Sequence, residues 1–413
     1  MYRLTPLSRV SLALTAFTFI LVALFKNHLL VYTAVLFTTA NVGLFFWALF
    51  STRGLTVERL HSQTCLRGYP LRVTLVISNR FRAPRFALVG YDQFTPAKRG
   101  DHLREVALLS LAARSSVSVE YEAVPSRRGH YTIGPFYFYS GDPFGFYRNI
   151  RKVNVYSDLI VLPTPLDTQV SYLRSTSQVA KDELSTVGVP GSSTEFLGVR
   201  EYQPGDQLRK VHWASTARLG TLITKQFERN VASTLCVLLV NDDQSAAGRD
   251  AENNPLEYSI TLVSTLARET SRSHYYFSFL ELNGRKESRS AGMGTEFFQR
   301  ISLQLAEITP GEKLDLAEYS SDILNSLPAG SDLIVFIPHL TGTEARFLAN
   351  LRLNYRLLSV ITFDLESFRM GASSKTPRSR VTFGQNFLIF ELAYGDDLVK
   401  QLDTFVEKVG FIR

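Results

Sequence analysis

Two long apolar stretches near the start of the chain limit what this sequence can fold into. They cover residues 7–25 (LSRVSLALTAFTFILVALF) and 29–50 (LLVYTAVLFTTANVGLFFWALF), and only the tripeptide KNH lies between them. As helices they would be roughly 28 and 33 Å long, close to the ~30 Å hydrocarbon core of a bilayer. A cleavable signal peptide is the alternative for the first stretch, but no small-residue cleavage pattern precedes Lys26 and a second apolar stretch follows at once. The sequence therefore predicts two transmembrane helices within residues 1–53.

Basic residues around these stretches predict the orientation of the helices. Arginines flank the two outer ends, whereas the connecting loop contains Lys26 as its one basic residue. Because cytoplasmic flanks carry the excess of Lys and Arg, both ends and all that follows are expected in the cytoplasm. We expect a two-span protein of the inner or plasma membrane with cytoplasmic soluble domains. The flanking arginines are Arg3, Arg9, Arg53, Arg59 and Arg67.

After residue 53 the apolar residues recur at every second position. The segments LRVTLVISN (71–79) and SSVSVEYEAV (115–124) both show this alternation, and turn-forming residues separate them. Alternation is typical of strands with one buried face, and several short strands between turns indicate a sandwich. We therefore expect an immunoglobulin-like β-sandwich domain over residues 54–165. Its predicted core positions include Leu71, Val73, Leu75, Ile77, Val117, Val119, Tyr121 and Ala123.

The predicted sandwich carries the chain's excess of positive charge. Residues 51–160 contain 16 basic and 8 acidic side chains, while the whole chain has a net charge of +7. Each Lys or Arg close to an anionic membrane surface contributes about 1 kcal/mol to binding. Anionic lipid headgroups are therefore expected contacts, and a cationic surface without orientation is the alternative. Nucleic acid is not expected as a partner, because no recognition helix accompanies the charge.

From residue 231 to residue 413, buried strands and amphipathic helices alternate. TLCVLLV (234–240) is a continuous apolar run, which is typical of a strand buried on both faces. A stretch with helical spacing follows it, and the same succession recurs with YYFSFLEL, GTEFFQRISLQLAEI and DLIVFIP. The alternation predicts a Rossmann-type α/β domain with a mostly parallel sheet covered on both faces.

The loop after the first of these strands contains part of a metal-binding pattern. Asp243 and Ser245 fit the first two positions of Asp-x-Ser-x-Ser, whose oxygens suit Mg²⁺. Ala247 stands at the last position without an oxygen, and His339 follows a later strand where an acidic ligand would be useful. We interpret the loop as a degenerate remnant and expect neither a metal nor another cofactor, with Mg²⁺ as the less favoured alternative.

Residues 166–230 read as a linker with a dense motif at 195–220, EFLGVREYQPGDQLRKVHWASTARLG. Pro204-Gly205 predicts a turn, after which Asp206 can cap a helix that runs through about Arg218 and ends before Gly220. The charged residues are close enough in sequence to pair with one another. The motif is therefore a candidate partner-binding surface or interdomain joint. Its candidate residues are Glu195, Arg200, Glu201, Tyr202, Gly205, Asp206, Arg209, His212, Trp213 and Arg218.

This motif resembles the signature of the domain of unknown function 58 family. The stretches RRGHYTIGP (127–135) and GDPFGFY (141–147) and the N-terminal hairpin match the family layout as well, whereas Ala214 and the degenerate metal loop depart from it. The resemblance implies a membrane-anchored protein with a von Willebrand factor A-like domain. It also implies association with a MoxR-type AAA+ ATPase.

Two functions are compatible with these features. The favoured one is a non-catalytic membrane adaptor or scaffold, based on protein–protein interaction, that works with a MoxR-type ATPase in the assembly or maturation of other proteins. The alternative is an uncharacterised hydrolase that uses Glu201, Asp206 and His212 for acid–base chemistry. The chain lacks Gly-x-Ser-x-Gly, His-Glu-x-x-His and phosphate-loop motifs, so we expect no enzymatic activity.

Overall fold

In a computed structural model, the chain divides into two units, Met1–Thr164 and Pro165–Arg413. The described residues are 2–98, 100–142, 144–168, 190–201, 211–228, 234–249, 252–273, 275–284, 287–316, 318–319, 323, 326–328, 330–372, 381–384 and 386–412.

The first unit contains the two apolar helices, α1 (Pro6–Phe25) and α2 (His28–Ser51). Each begins at a capped end, since the side chain of Thr5 accepts a hydrogen bond from the Ser8 N–H and that of Asn27 accepts one from the Leu29 N–H. Both helices are long and apolar enough to cross a membrane. Only 17% and 11% of their most apolar windows are buried, so neither is a core helix of the unit.

A polar cluster joins the two helices. Asn41 on α2 donates from Nδ2 to the Thr15 hydroxyl at 3.1 Å and accepts at Oδ1 from the Ser11 hydroxyl at 3.0 Å. Its Nδ2 also donates to the Phe37 carbonyl at 2.8 Å. Hydrogen bonds of this kind hold apolar helices together where the hydrophobic effect cannot distinguish helix from lipid. The cluster therefore fixes the pairing of α1 with α2.

The rest of the first unit is strand-rich. Its strands form a five-stranded sheet in the order β1-β10-β9-β5-β6 and two three-stranded sheets, β2-β4-β7 and β3-β11-β8. The strands are β1 (Tyr2–Leu4), β2 (Leu55–Leu60), β3 (Thr64–Leu66), β4 (Leu71–Asn79), β5 (Arg85–Gln93), β6 (Leu103–Leu111), β7 (Ser116–Ala123), β8 (Gly129–Ile133), β9 (Phe136–Gly141), β10 (Tyr147–Val153) and β11 (Ser157–Leu162).

One hydrophobic core lies among these sheets, and the predicted alternation leads into it. Leu71, Val73 and Leu75 of β4 are buried, as is Ile77, while the residues between them are more exposed. The short strand β1 was not predicted. It precedes α1 and pairs antiparallel with β10, so the chain enters and leaves the helical hairpin from the same folded body.

The second unit begins with a small antiparallel pair and continues with a seven-stranded sheet. The sheet has the order β16-β15-β14-β17-β18-β20-β19; its five inner strands are parallel, and its two edge strands are antiparallel to their neighbours. The strands are β12 (Pro190–Glu201), β13 (Ile223–Glu228), β14 (Thr234–Val240), β15 (Tyr276–Leu282), β16 (Glu287–Gly292), β17 (Asp332–Phe336), β18 (Leu357–Phe363), β19 (Val381–Gly384) and β20 (Phe387–Leu392).

Helices lie on both faces of the seven-stranded sheet. Leu235, Val237 and Leu239 of β14 join one core cluster, and the alternate residues of the same strand join a second cluster. The described helices of this unit are α3 (Trp213–Leu219), α4 (Pro255–Arg272), α5 (Gly294–Glu307), α6 (Gly342–Arg352), α7 (Leu365–Met370) and α8 (Leu398–Ile412). Residues of α4, α5, α7 and α8 belong to the first cluster and residues of α6 to the second.

Candidate functional site

The carboxyl ends of β14 and β17 form the first candidate site. From β14 the chain passes through α4 to β15 on one side, whereas β17 lies on the other side of β14. Open α/β sheets bind ligands at such a change of direction, beyond the carboxyl ends of the strands. Asp242 follows β14 and His339 follows β17, so both residues lie at this position.

Asp242 is the centre of a tight loop. Its Oδ1 accepts hydrogen bonds from the Gln244 N–H at 2.9 Å, from the Ser245 N–H at 3.0 Å and from the Ser245 hydroxyl at 3.2 Å. The Ser245 Oγ in turn accepts the Asp242 N–H at 2.9 Å. Both residues are buried, at 7% and 2% exposure. One carboxylate oxygen is thus committed to holding the loop.

The other oxygen of Asp242 faces an imidazole. His339 Nδ1 lies 3.6 Å from Asp242 Oδ2, which is an ion-pair distance when the imidazole is protonated. Burial raises the pKa of the Asp242 carboxyl above its ordinary value, while a charged His339 and the hydrogen bonds from Gln244 and Ser245 act against that rise. The His339 side chain is 34% exposed, so its imidazole is partly accessible to solvent, whereas the Asp242 carboxylate beside it is buried.

The predicted remnant of a metal site is placed differently by the structure. Asp243 is exposed and accepts a hydrogen bond from the Gln244 side chain, whereas the buried carboxylate beside Ser245 belongs to Asp242. Asp242 was missed because the Asp-x-Ser-x-Ser pattern selects Asp243, which has Ser245 two positions further on. Its position directly after the buried strand, next to Asn241, was the available signal.

The residues at this site do not fit Mg²⁺. That ion needs near-octahedral oxygen ligands, but Asp242 has one oxygen saturated by three donors and the other against an imidazole. Ser245 Oγ is already an acceptor for a backbone N–H. Within the part of the chain that the structure describes, no group of three or more His, Cys, Asp or Glu side chains could hold a metal ion.

The side chain of Asn241 connects the end of β14 to neighbouring segments. Its Nδ2 donates to Glu281 Oε1 at 2.9 Å and to the Thr309 carbonyl at 2.8 Å, and its Oδ1 accepts the Gly311 N–H at 3.0 Å. Gly311 approaches so closely that a Cβ there would lie 1.8 Å from the Asn241 carbonyl oxygen. The segment around Gly311 is therefore locked to the end of β14.

The second candidate site is the motif at 195–220. Its first part belongs to β12, and Arg200 and Glu201 pair with Thr224 and Ile223 of β13. On the other side of β13, Val211 forms a β-bridge with Thr224. Strand β12 and Val211 therefore pair with opposite sides of β13.

Helix α3 differs from the prediction at its start. The helix was expected to begin near Asp206, but it begins at Trp213, because Val211 is bridged to β13 and the His212 N–H donates to the Ile223 carbonyl at 2.8 Å. His212 is the N-cap, with Nδ1 accepting from the Ser215 N–H and lying 2.7 Å from the Ser215 hydroxyl. Gly220 ends the helix in the left-handed region, at φ 71°, as predicted.

The other candidate residues of the motif divide into three groups. Glu195, Arg200 and Glu201 are placed in strand β12 by their backbone. Trp213 and Arg218 lie on α3 and are exposed. Asp206 lies outside the described residues, so the proposed acid–base set of Glu201, Asp206 and His212 stays a prediction. Tyr202, Gly205, Asp206 and Arg209 lie outside the described residues.

Three large apolar side chains on α3 and shortly after it are exposed. Trp213 is 67% exposed, Leu219 58% and Leu222 43%. An exposed tryptophan is a candidate anchor for contact with another protein. We call these three residues the α3 patch.

Comparison with known families identifies the region that holds both candidate sites. Residues 198–353 match the model of the family described as "Protein of unknown function DUF58". Residues 198–353 therefore form a DUF58 region of this chain. The matched residues of the DUF58 region include the α3 patch, Asp242 and His339.

A curated relative is similar over part of its length. "Uncharacterized protein YeaD" of Bacillus subtilis (strain 168) is 26% identical to this chain over 203 residues. The alignment covers 46% of this chain and 49% of that protein, so it spans about half the length of the relative.

Solved structures are similar at low identity. The CARDB domain of the PF1109 protein from Pyrococcus furiosus is 14% identical, with a TM-score of 0.20, over 26% of this chain and 87% of the domain. The PKD domain of an M14-like peptidase from a Thermoplasmatales archaeon is 11% identical, with a TM-score of 0.17, over 25% of this chain and 91% of that domain.

Proposed function

We propose that this protein is a membrane-anchored, non-catalytic adaptor that recruits a protein partner through its second unit. The α3 patch carries the proposal, because it exposes a tryptophan and two leucines inside the matched DUF58 region. Tryptophan is among the residues that most often dominate binding energy at protein interfaces. The candidate partner is a MoxR-type AAA+ ATPase, and the role is the assembly or maturation of other proteins.

Hydrogen bonds between α2 and strand β10, within the first unit, support membrane anchoring. The Tyr147 hydroxyl of β10 lies 3.2 Å from Asn41 Oδ1, and the Asn149 side chain donates to the Ala48 carbonyl and to the Thr52 hydroxyl near the end of α2. An anchor held in this way carries the folded unit at a fixed position next to the bilayer. The basic residues flanking the helices favour a cytoplasmic position for both units.

The second unit supports a von Willebrand factor A-like, Rossmann-type assignment. Five parallel strands with helices on both faces, and a polar loop at the carboxyl end of β14, are the features expected of such a domain. At the β14 loop, Asp242 faces His339. The two side chains do not supply the set of oxygen ligands that a metal-dependent contact would need. We propose that partner contact is therefore metal-independent.

Binding of the purified full chain in detergent to a MoxR-type ATPase from the same organism tests the adaptor role. The variant Trp213→Ala with Leu219→Ser should weaken binding by about 30-fold or more, which corresponds to the ~2 kcal/mol of an interface hot spot. Phe144→Ala is the matched control, since Phe144 is an equally exposed aromatic residue (69%) of the first unit. Equal affinity of the parent chain and the α3 variant would contradict the proposal.

Protease protection tests the orientation separately. Protease added outside intact cells should leave both units uncut, and protease added to inverted membrane vesicles should digest them. Digestion from outside would place both units on the other side of the membrane and would rule out a cytoplasmic ATPase as partner.

A further inference from the structure

A groove lies between the C-terminal end of α2 and the loop that leads into β5. It has a volume of about 320 Å³ and is lined by residues from Gly43 to Ser51 of α2 and from Phe81 to Phe86. The walls are largely aromatic, and Phe46, Trp47 and Phe86 are each about half exposed, at 51%, 52% and 52%. We call this the α2 groove.

The α2 groove contains a buried cation that lacks a full set of partners. Arg85 is 8% exposed, and its Nη2 donates to the Arg53 carbonyl at 2.9 Å. Its Nε has no hydrogen-bond partner, and among the residues that the structure describes no carboxylate forms an ion pair with it. Burial lowers the pKa of Arg85 from its ordinary value. A buried guanidinium is stable only when its donors are matched, and a phosphate matches two of them at once.

The surroundings of Arg85 are cationic and aromatic together. The Arg85 guanidinium lies 4.7 Å from the centre of the Phe81 ring, and that of Arg53 lies 4.5 Å from the centre of the Phe50 ring. Arg80 and Arg82 are exposed in the same loop, and residues 46–57 and 79–91 contain no Asp or Glu. Arginine beside tryptophan and phenylalanine at the end of an apolar helix is the composition of a membrane interface.

We propose that the α2 groove binds one anionic phospholipid, whose phosphate would be taken by Arg85 and Arg53 and whose acyl chain would lie along Phe46, Trp47 and Phe50. The proposal rests on the membrane anchoring proposed above. Anionic lipid is favoured over zwitterionic lipid because Arg85 lines the groove, and Arg53, Arg80 and Arg82 lie in the two adjoining segments, which contain no compensating carboxylate. An apolar helix of another protein would fit the aromatic walls but would leave the guanidinium unmatched.

Quenching of Trp47 by brominated lipid tests this site. The chain has two tryptophans, so the Trp213→Phe variant of the full chain reports on Trp47 alone. It is reconstituted in phosphatidylcholine vesicles that contain a small fraction of either brominated phosphatidylglycerol or brominated phosphatidylcholine. The anionic lipid should quench about fivefold more effectively, the factor that ~1 kcal/mol for one cation at an anionic surface provides.

Charge-removing variants in the same background assign the preference to the groove. Arg85→Gln should remove the preference for the anionic lipid, so that the two brominated lipids quench Trp47 about equally. Because Arg85 is buried, the exposed Arg53→Gln is measured beside it and should weaken the preference without unfolding. Arg72→Gln is the matched control, since Arg72 is exposed on β4 beside Glu120 and Glu122, and it should leave the preference unchanged.

The outcomes separate the site from the anchor. Flotation of each variant with vesicles reports membrane insertion independently of quenching. Equal quenching by both lipids in a chain that floats overturns the lipid site and leaves the anchor intact. A preference for the anionic lipid that survives both Arg85→Gln and Arg53→Gln has the same meaning. Failure to float overturns the anchor itself, and a Trp47 shielded from both lipids indicates a protein covering and overturns the lipid site.

Discussion

Arg59 and Asp92 form a bidentate ion pair in the core of the first unit. Arg59 Nε donates to Asp92 Oδ2 at 2.9 Å, and the two side chains are 1% and 0% exposed. The Tyr121 hydroxyl donates to the same Asp92 oxygen at 2.7 Å. Since Arg59 and Tyr121 belong to β2 and β7 and Asp92 to β5, the network links two sheets. Arg59 was counted among the flanking charges of the hairpin, but its burial removes it from the surface.

Removal of one partner of this pair should destabilise the first unit strongly. Asp92→Ala leaves the Arg59 charge buried without its counterion, which costs about 3–5 kcal/mol. Tyr121→Phe removes one hydrogen bond to a charged acceptor and should cost about 1.5–3 kcal/mol. Denaturant unfolding of the full chain in detergent measures both. Tyr69→Phe, at an exposed tyrosine, is the control and should leave the free energy of unfolding unchanged.

Gly311→Ala tests the lock on the end of β14. A methyl group there would lie 1.8 Å from the Asn241 carbonyl oxygen and 2.9 Å from that of Asn283, so the backbone must shift. We expect a loss of about 1–3 kcal/mol, the usual cost of overpacking. Gly342→Ala is the matched control, because nothing lies within 4 Å of a Cβ at the start of α6. A Gly311→Ala chain that unfolds at the same temperature as the control would contradict the close approach.

The sequence predicted those elements whose apolar spacing is unambiguous. The run at 234–240 became β14, and the alternation at 71–79 became β4, since burial on both faces or on one face imposes the pattern directly. Strand β16 was missed because ESRSAG is a polar edge strand that follows no apolar period. The start of α3 was misplaced because a β-bridge between Val211 and Thr224, which is not visible in local sequence, competes with the helix.

His212→Ala tests whether His212 acts as a helix cap. Its Nδ1 accepts from the Ser215 N–H, so the truncation should destabilise α3 by about 0.5–2 kcal/mol. His212→Asn restores a capping acceptor and should recover most of the loss. Amide hydrogen exchange in α3 measures the effect locally. Equal loss in both variants would contradict the capping role of the imidazole.

Asp242→Asn tests the cost of the buried carboxylate, and the direction of its effect depends on pH. Because the folded-state pKa of Asp242 is raised above that of the unfolded chain, its favourable contribution is complete below the unfolded value of about 3.9 and is lost as pH rises through the folded value. At pH 7.5 the parent chain therefore buries an ionised carboxylate at a cost, which the amide removes. We expect the variant to be more stable there by about 0.5–2 kcal/mol, as for other relieved unfavourable sites.

The gain from Asp242→Asn should shrink as pH falls towards 4, because the parent carboxyl then takes up its proton. Thermal unfolding at pH 4.5 and 7.5 measures this change, and Asp243→Asn is the control, since Asp243 is the exposed neighbour in the same loop. The amide oxygen can still accept from Gln244 and Ser245, so the loop geometry is kept. A variant that is less stable at both pH values would mean that attraction to a charged His339 outweighs burial, and the site would then be an ion pair that holds β14 and β17 together at their carboxyl ends.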